Sequence, residues 1–229
     1  MILAFETSAK AASVALLEAG ILLGESYQNT GLTHSQTLLQ MAEDLLKTCG
    51  KTAADVTAVA VAAGPGSFTG VRIGVAAAKG FAWGRELPCY GVSTLEAMAR
   101  NLGIWQGYVM PAMDARRSQT YTAIFHAEGG ILTRLEEDQA ISFAQLGEKI
   151  KNFKEPIFIV GDGGELCYNI LKEAVTGLVL VPEHRRHQRA AGVALVAEGL
   201  LGTPGDGASL TPNYLRLSQA ERERLEKQK

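Results

Sequence analysis

Residues 62–74 read Ala62-Ala63-Gly64-Pro65-Gly66-Ser67-Phe68-Thr69-Gly70-Val71-Arg72-Ile73-Gly74, and the rest of the chain is organised around them. Ahead of them runs Val56-Thr57-Ala58-Val59-Ala60-Val61, short, apolar and rich in β-branched residues, the pattern of a buried strand. Behind them, Val71 to Trp83 is too long for a typical strand and rich in alanine, which predicts a helix. Gly64 and Gly66 flank Pro65, so the turn between is tight and its conformation largely fixed. Ser67 or Thr69 is placed to cap the helix. From Val71 to Gly84 only Arg72 and Lys79 carry charge, and a helix apolar nearly all round is expected to be buried nearly all round. Gly70, Gly74 and Ala78 recur every fourth residue and leave one face almost bare, open to another backbone. Interior glycine costs roughly 1 kcal/mol relative to alanine. Close helix packing is the expected compensation.

A strand, a glycine turn and a helix also invite a nucleotide. The absence of Gly-Lys-Ser/Thr excludes a P-loop. Gly64, Gly66 and Gly70 depart from G-x-G-x-x-G, and no acid closes a second strand about 20 residues on. Packing is therefore the better reading of this turn.

The chain of 229 residues suits one large domain or two small ones, and its hydrophobic share of 47% is ordinary for a globular protein. A net charge of −2 gives no electrostatic footprint for nucleic acid. If the chain acts on RNA, partners are expected to supply the phosphate contacts. Cys49, Cys89 and Cys167 are far apart with no CxxC, which fits a reducing compartment. Arg72 and Lys79 interrupt the longest apolar run, so no membrane span of about 18 residues is expected. The N-terminus has no basic region ahead of its first strand, so no signal peptide is expected and a cytoplasmic location is.

Ile2-Leu3-Ala4-Phe5-Glu6 reads as a first buried strand ending on an acid. Ala11 to Leu17 and Ile21 to Tyr27 form a hairpin about Glu18-Ala19-Gly20. Thr33 to Cys49 is a helix with Leu38, Leu39, Ala42, Leu45, Leu46 and Cys49 on one stripe, capped by Thr33 or Ser35 and ended by Gly50. After the central strand and helix come a short strand from Pro88 to Gly91 and a helix from Ser93 through Leu102, with Glu96 completing a capping box.

The second half repeats the order. Tyr108 to Asp114 again ends on an acid. A hairpin from Thr120 to Leu135, a helix from Ser142 to Asn152 and a strand from Pro156 to Val160 follow. A turn at Gly161-Asp162-Gly163-Gly164 leads to a helix from Glu165 to Val175, a strand from Leu178 to Val181 and a last helix from His187 to Leu201. The order β-β-β-α-β-α-β-α, stated twice, is the topology of the actin-like ATPase and sugar-kinase superfamily, an α/β fold of two ribonuclease-H-like lobes. The lobes are expected at residues 1–104 and 105–218, with 219–229 a charged tail.

Glu6 and Asp114 are the paired first-strand acids, and in an active ATPase of this fold they would stand near phosphate and metal. Thr7-Ser8-Ala9 follows the first, with no glycine pair to admit phosphate. Arg116 and Arg117 follow the second where a Gly-Gly turn would be expected. Glu6, Thr7 and Asp114 are thus the candidates for a degenerate nucleotide cleft, and acids held by neighbouring amides and arginines are the competing reading. His34, His126, His184 and His187 share no ligand spacing, and the arginines around His184 and His187 oppose a zinc ion. No serine or cysteine stands in a nucleophile motif.

The central stretch resembles the signature of the TsaB (YeaZ) family. Leu3-Ala4-Phe5-Glu6-Thr7-Ser8, His34-Ser35-Gln36, Met113-Asp114-Ala115-Arg116-Arg117, Gly161-Asp162-Gly163 and Pro212-Asn213-Tyr214-Leu215-Arg216 agree in order and span nearly the whole chain. The family's first-strand acid is usually Asp and is Glu6 here. The resemblance implies a part in making N6-threonylcarbamoyladenosine, on the tRNA adenosine 3′ of the anticodon in tRNAs reading codons that begin with A. It implies partnership with TsaD and TsaE, tRNA contact through the complex alone, and a homodimer through similar surfaces. The related TsaD binds metal through H-x-x-x-H, and those two positions here are Thr94 and Met98, a poor ligand set. The chain is therefore expected to be a partner without a metal or cofactor of its own, with ATP or ADP at the complex interface. In the family the first-lobe helices contact TsaD. Here they offer His34, Leu38, Leu45, Phe68, Gly70, Arg72, Ile73, Gly74, Ala77, Ala78 and Phe81. A metallopeptidase, which needs a metal or a nucleophile, and a small-molecule kinase, which needs ATP binding by the isolated chain, are the alternatives.

Overall fold

β1 (Ile2–Glu6) is apolar along its length because both its faces are covered, and every one of its residues is buried. A computed structural model of the chain describes residues 1–104 and 106–216. The expected tail, 219–229, lies outside the described residues, as do 217, 218 and Trp105. After β1 come β2 (Ala12–Glu18), β3 (Ile21–Gln28), α1 (His34–Thr48), β4 (Ala58–Gly64), α2 (Phe68–Trp83), β5 (Cys89–Ser93) and α3 (Thr94–Leu102). The second set is β6 (Gly107–Asp114), β7 (Gln119–Glu128), β8 (Ile131–Ser142), α4 (Phe143–Ile150), β9 (Ile157–Val160), α5 (Gly164–Leu171) and β10 (Leu178–Leu180). It closes with α6 (Glu183–Arg186) and α7 (Ala190–Glu198).

The strands form two five-stranded sheets, ordered β3-β2-β1-β4-β5 and β8-β7-β6-β9-β10. In each, the first strand runs antiparallel to the second and parallel to the fourth. Ile2 faces Leu17 on β2 and Ala58 on β4, and Tyr108 faces His126 on β7 and Ile157 on β9. The doubled element order is thus a doubled architecture, the actin-like fold. The helix expected from His187 to Leu201 is two pieces, α6 and α7, separated by extended residues at His187 and Arg189.

The division after residue 104 separates the two sheets but not their covering helices. Helix α7, expected in the second lobe, packs on β1, β2 and β4 of the first. Ala190, Val193, Ala194 and Ala197 join Ala4, Ala15, Ala60 and Ala62 in one core. Helix α3 does the reverse, sending Leu95, Met98 and Leu102 into a core with Val109, Phe125 and Val160. The physical reason is fit: these small side chains let α7 lie close on an alanine-faced sheet. A Cβ on Gly192 would fall 2.0 Å from the Ala97 carbonyl oxygen, so α7 and α3 touch backbone to backbone. Ser13 and Glu25 secure the crossing, accepting from the Ala190 and Ala191 amides at 2.6 and 3.1 Å. No described helix is long and apolar enough to cross a membrane.

Candidate functional site

Ser67 caps α2, its hydroxyl accepting from the Gly70 amide, and the Gly64–Pro65 peptide ahead of it is cis. Thr69, the other expected cap, is the second residue of the helix. The helix lies across the end of β1. A Cβ on Gly70 would fall 2.1 Å from the Thr7 carbonyl oxygen, and one on Gly74 2.4 Å from Thr7 Oγ1. The Thr7 hydroxyl donates to the Gly70 carbonyl at 2.8 Å. The bare face of α2 therefore receives the turn after β1, where the spacing led us to expect another helix.

This corrects the expected partner surface. Gly70, Gly74 and Ala78 are buried inside the lobe, and so are Leu38 and Leu45 of α1, which pack beneath α2 with Val71 and Val75. A buried residue in the chain's own core has no surface to offer. His34 is half-buried, its Nε2 2.9 Å from the Ala9 carbonyl oxygen. Ile73, Ala77 and Phe81 stand half-buried at the core's edge. Beyond them α2 exposes Ala76 and Gly80, and Trp83 is 86% exposed. The expectation that α2 is buried nearly all round therefore fails on its outer side. Ala76 and Gly80 were missed because alanine and glycine are equally compatible with a fully covered helix, and Trp83 because an apolar ring at a helix end reads as core.

Phe68 and Arg72 have partners far along the chain. The Phe68 and Tyr214 rings stack at 4.3 Å, the Arg72 guanidinium lies 4.0 Å from the Phe68 centroid, and Arg72 Nε donates to the Tyr214 hydroxyl at 2.9 Å. Lys79 donates to the carbonyls of Ala208 and Leu210, both at 3.0 Å. Residues 203–216 thus form a strap along β5 and α2. The Asn213 amide donates to the Ala63 carbonyl at 2.6 Å, and Arg216 reaches the second lobe to donate to the Ala115 carbonyl.

The strap closes one side of a cleft of about 630 Å³ between the lobes, lined by Ser8, Lys10, Phe68, Asp114, Arg116, Asp162, Tyr214 and Arg216 among others. Of the three nucleotide candidates, Asp114 lines it. Glu6 and Thr7 are 0% exposed and lie beneath its floor. Burial pushes the Glu6 carboxyl up to about 7 against the pull of the Ser8 hydrogen bond, which donates to Oε1 at 2.5 Å. Asp162 across the cleft is also pushed up by burial, while Gln188 donates to it at 2.7 Å and pulls it down. Glu6 Oε2, Ser8 Oγ and Gln188 Oε1 are buried without a hydrogen-bond partner among the described residues.

The residues present do not fit a nucleotide held as an ATPase of this fold would hold it. The amides that would meet phosphate are already donated: Ser8 to Glu6, Ser67 to the Ser8 carbonyl, Arg116 to Asp114, Gly163 to the Ala112 carbonyl. The turn after Asp114 is strained besides. Arg116, Arg117 and Ser118 all adopt the left-handed region at φ 63°, 55° and 57°, where L residues cost about 1–2 kcal/mol each. His187 pairs with Glu183 at 2.8 Å, and no grouping of three or more His, Cys, Asp or Glu side chains able to hold a metal occurs among the described residues.

A family model described as "TsaD: tRNA N6-adenosine threonylcarbamoyltransferase" matches residues 28–223. The tRNA threonylcarbamoyladenosine biosynthesis protein TsaB of Bacillus subtilis is 32% identical over 229 residues, covering 100% of this chain and 99% of that one. The chain belongs to the TsaB (YeaZ) family. The Escherichia coli TsaB is 37% identical over 184 residues, covering 78% of each chain. The structure of YeaZ from Pseudomonas aeruginosa superposes with a TM-score of 0.76 at 26% identity, covering 93% of this chain and 99% of that one. The chain thereby has a role in threonylcarbamoyladenosine biosynthesis on tRNA.

Proposed function

We propose that the chain is a non-catalytic subunit that binds TsaD and is required for N6-threonylcarbamoyladenosine formation on the adenosine 3′ of the anticodon, in tRNAs reading codons that begin with A. The observation that carries this reading is the outer strip of α2, where Ile73, Ala76, Ala77, Phe81 and Trp83 leave an apolar surface unclosed by the chain's own fold. Such a strip suits a protein partner, with Trp83 as the kind of aromatic anchor that dominates interfaces. The non-catalytic part draws on α3. Thr94 and Met98, the positions matched to the sister's metal ligands, are 0% and 2% exposed, and Met98 packs into the second lobe's core. TsaE joins the same assembly, the α2 strip also serves a homodimer of the isolated chain, and ATP or ADP binds at the interface between subunits. The setting is the cytoplasm.

The test is an omit-one reconstitution. A TsaC-type synthase, TsaD, TsaE and this chain are incubated with threonine, bicarbonate, ATP and unmodified tRNA, and nucleosides are read by mass spectrometry. Product is expected to vanish when this chain is omitted and to be absent with this chain and synthase alone. Undiminished product without it would overturn the proposal.

A further inference from the structure

The mouth of the interlobe cleft gathers cations that the net charge of −2 conceals. Lys10, Arg116 and Arg216 line it from three separate segments. Lys10 is exposed, and the Arg116 side chain is 83% exposed. Arg117, exposed as well, follows on the same left-handed turn. Arg216 fastens that turn, donating to the carbonyls of Ala115 and Arg116, so its guanidinium is held at the mouth by backbone.

The described acids of this cleft offset the rim only in part. Glu6 is sealed under the floor and, with its carboxyl at about 7, is close to half-protonated at neutral pH. Asp162 lines the cleft as an exposed residue, its carboxyl raised by desolvation, and Gln188 donates to it at 2.7 Å. Asp114 is taken by Arg116, accepting from its amide at 2.7 Å and lying 3.3 Å from its guanidinium. The three cations thus share the cleft with two exposed acids, Asp114 and Asp162, while Glu6 lies sealed beneath it. Beside the cations, Tyr214 lines the cleft at 38% exposure, its ring steadied by the stack on Phe68 and the bond from Arg72.

Cations on separate segments around an exposed aromatic ring match the chemistry of unpaired RNA, whose phosphates take Lys and Arg and whose bases stack on aromatic rings. We propose that Lys10, Arg116 and Arg216 bind RNA backbone phosphates at the cleft mouth and that Tyr214 stacks an unpaired base beside them. The inference rests on the tRNA-modification reading and gives this chain a direct share of the tRNA contact. It revises the sequence expectation that partners alone supply phosphate contacts. The cluster escaped the sequence because its members lie far apart in the chain and are diluted by acids elsewhere.

The experiment is fluorescence anisotropy of labelled unmodified tRNA with the full chain, from about 50 to about 200 mM KCl. Three phosphate contacts predict a log–log salt slope of about −2. The doubly reversed variant Lys10→Glu, Arg116→Glu should flatten that slope to between about −1 and 0 and weaken binding at least about tenfold at the lowest salt. Both side chains are exposed, so the reversals leave the fold intact, and circular dichroism checks this. Lys172→Glu, a single reversal at the C-terminal end of α5 and outside the cleft lining, should change neither, and Tyr214→Ala should weaken binding while leaving the slope in place. Equal effects from Lys172→Glu, or no effect from the rim reversals, would overturn the proposal. Displacement of tRNA by an equal phosphate concentration of inorganic tripolyphosphate would also overturn it, assigning the rim to a small phosphate ligand. Failure here with a positive omit-one reconstitution sinks the rim alone. Binding that behaves as predicted, with a reconstitution that does not need the chain, sinks the subunit role alone.

Discussion

The turns after β1 and β6 hold corresponding places in the two lobes and have opposite fates. Glu6-Thr7-Ser8 is wholly buried. The 16-residue α2 lies on it, and the glycines at 66, 70 and 74 all touch it. Asp114-Ala115-Arg116 faces the 8-residue α5, meets one glycine, Gly163, among the described residues, and keeps Asp114 and Arg116 at the surface. One lobe has turned its acid into a packing element. The other has kept it as a rim. Helix length and glycine placement decide which, because a turn can be sealed only where the covering helix has no side chains to hold it off.

The largest effect should come from filling that contact. Gly70→Ala places a Cβ against a carbonyl of the chain that cannot move without disturbing β1, and should cost about 3 kcal/mol, the upper end of overpacking penalties. Gly164→Ala, at the start of α5, meets its nearest atoms at 3.4 Å and should change stability by less than about 1 kcal/mol, helped by alanine's better helix propensity. Urea midpoints read both, and equal effects would break the comparison.

The next effect is pH-dependent. Folding raises the Glu6 carboxyl from 4.5 to about 7, so the folded chain keeps a proton that the unfolded chain loses between those values. The stability linked to Glu6 is present below pH 4.5, declines as pH rises, and levels off above about 7. The decline is on the order of 3 kcal/mol. Glu6→Gln should remove most of it, stabilising the chain at about pH 8 more than at about pH 5, with a residual slope of the same sign from Asp162. Identical slopes in denaturation curves of the two proteins would show that Glu6 is not buried as described.

Smaller effects separate the helix starts and the acids. Ser67→Ala removes the cap of α2 and should cost about 1 kcal/mol, whereas the residue ahead of α5 is Gly163, with no side-chain cap to lose. Asp114→Asn should cost less than about 0.5 kcal/mol, since its pair with Arg116 is solvent-screened and the amide oxygen still accepts from Arg116. Thermal melts resolve the first, and the second should fall near their limit.

Much of this fold was legible because strand and helix patterns depend on near neighbours. Buried β1 and β4, the cap at Ser67 and the doubled element order follow from local periodicity and capping chemistry. What escaped depends on distant partners. Nothing in Ala190–Glu198 tells which of two sheets it covers, since its alanines and Gly192 suit either. The spacing of Gly70 and Gly74 announces a close approach without saying what approaches. Ser93 accepts from the Glu96 amide as expected, yet the Glu96 carboxylate completes no capping box. It pairs with Arg134 of β8 at 2.8 Å, a partner no local pattern names. Phe68 and Arg72, expected to face a partner, are held by Tyr214 at the far end of the chain.

The central claim is that α2 divides into an inner face for its own lobe and an outer face for TsaD. Co-purification of TsaD with the Ala76→Arg chain, alongside a thermal melt of the free variant, tests it most directly. Ala76 is exposed, so the account predicts a melting temperature like that of the unaltered chain and loss of TsaD from the purified complex. A variant that melts normally and still retains TsaD would contradict it.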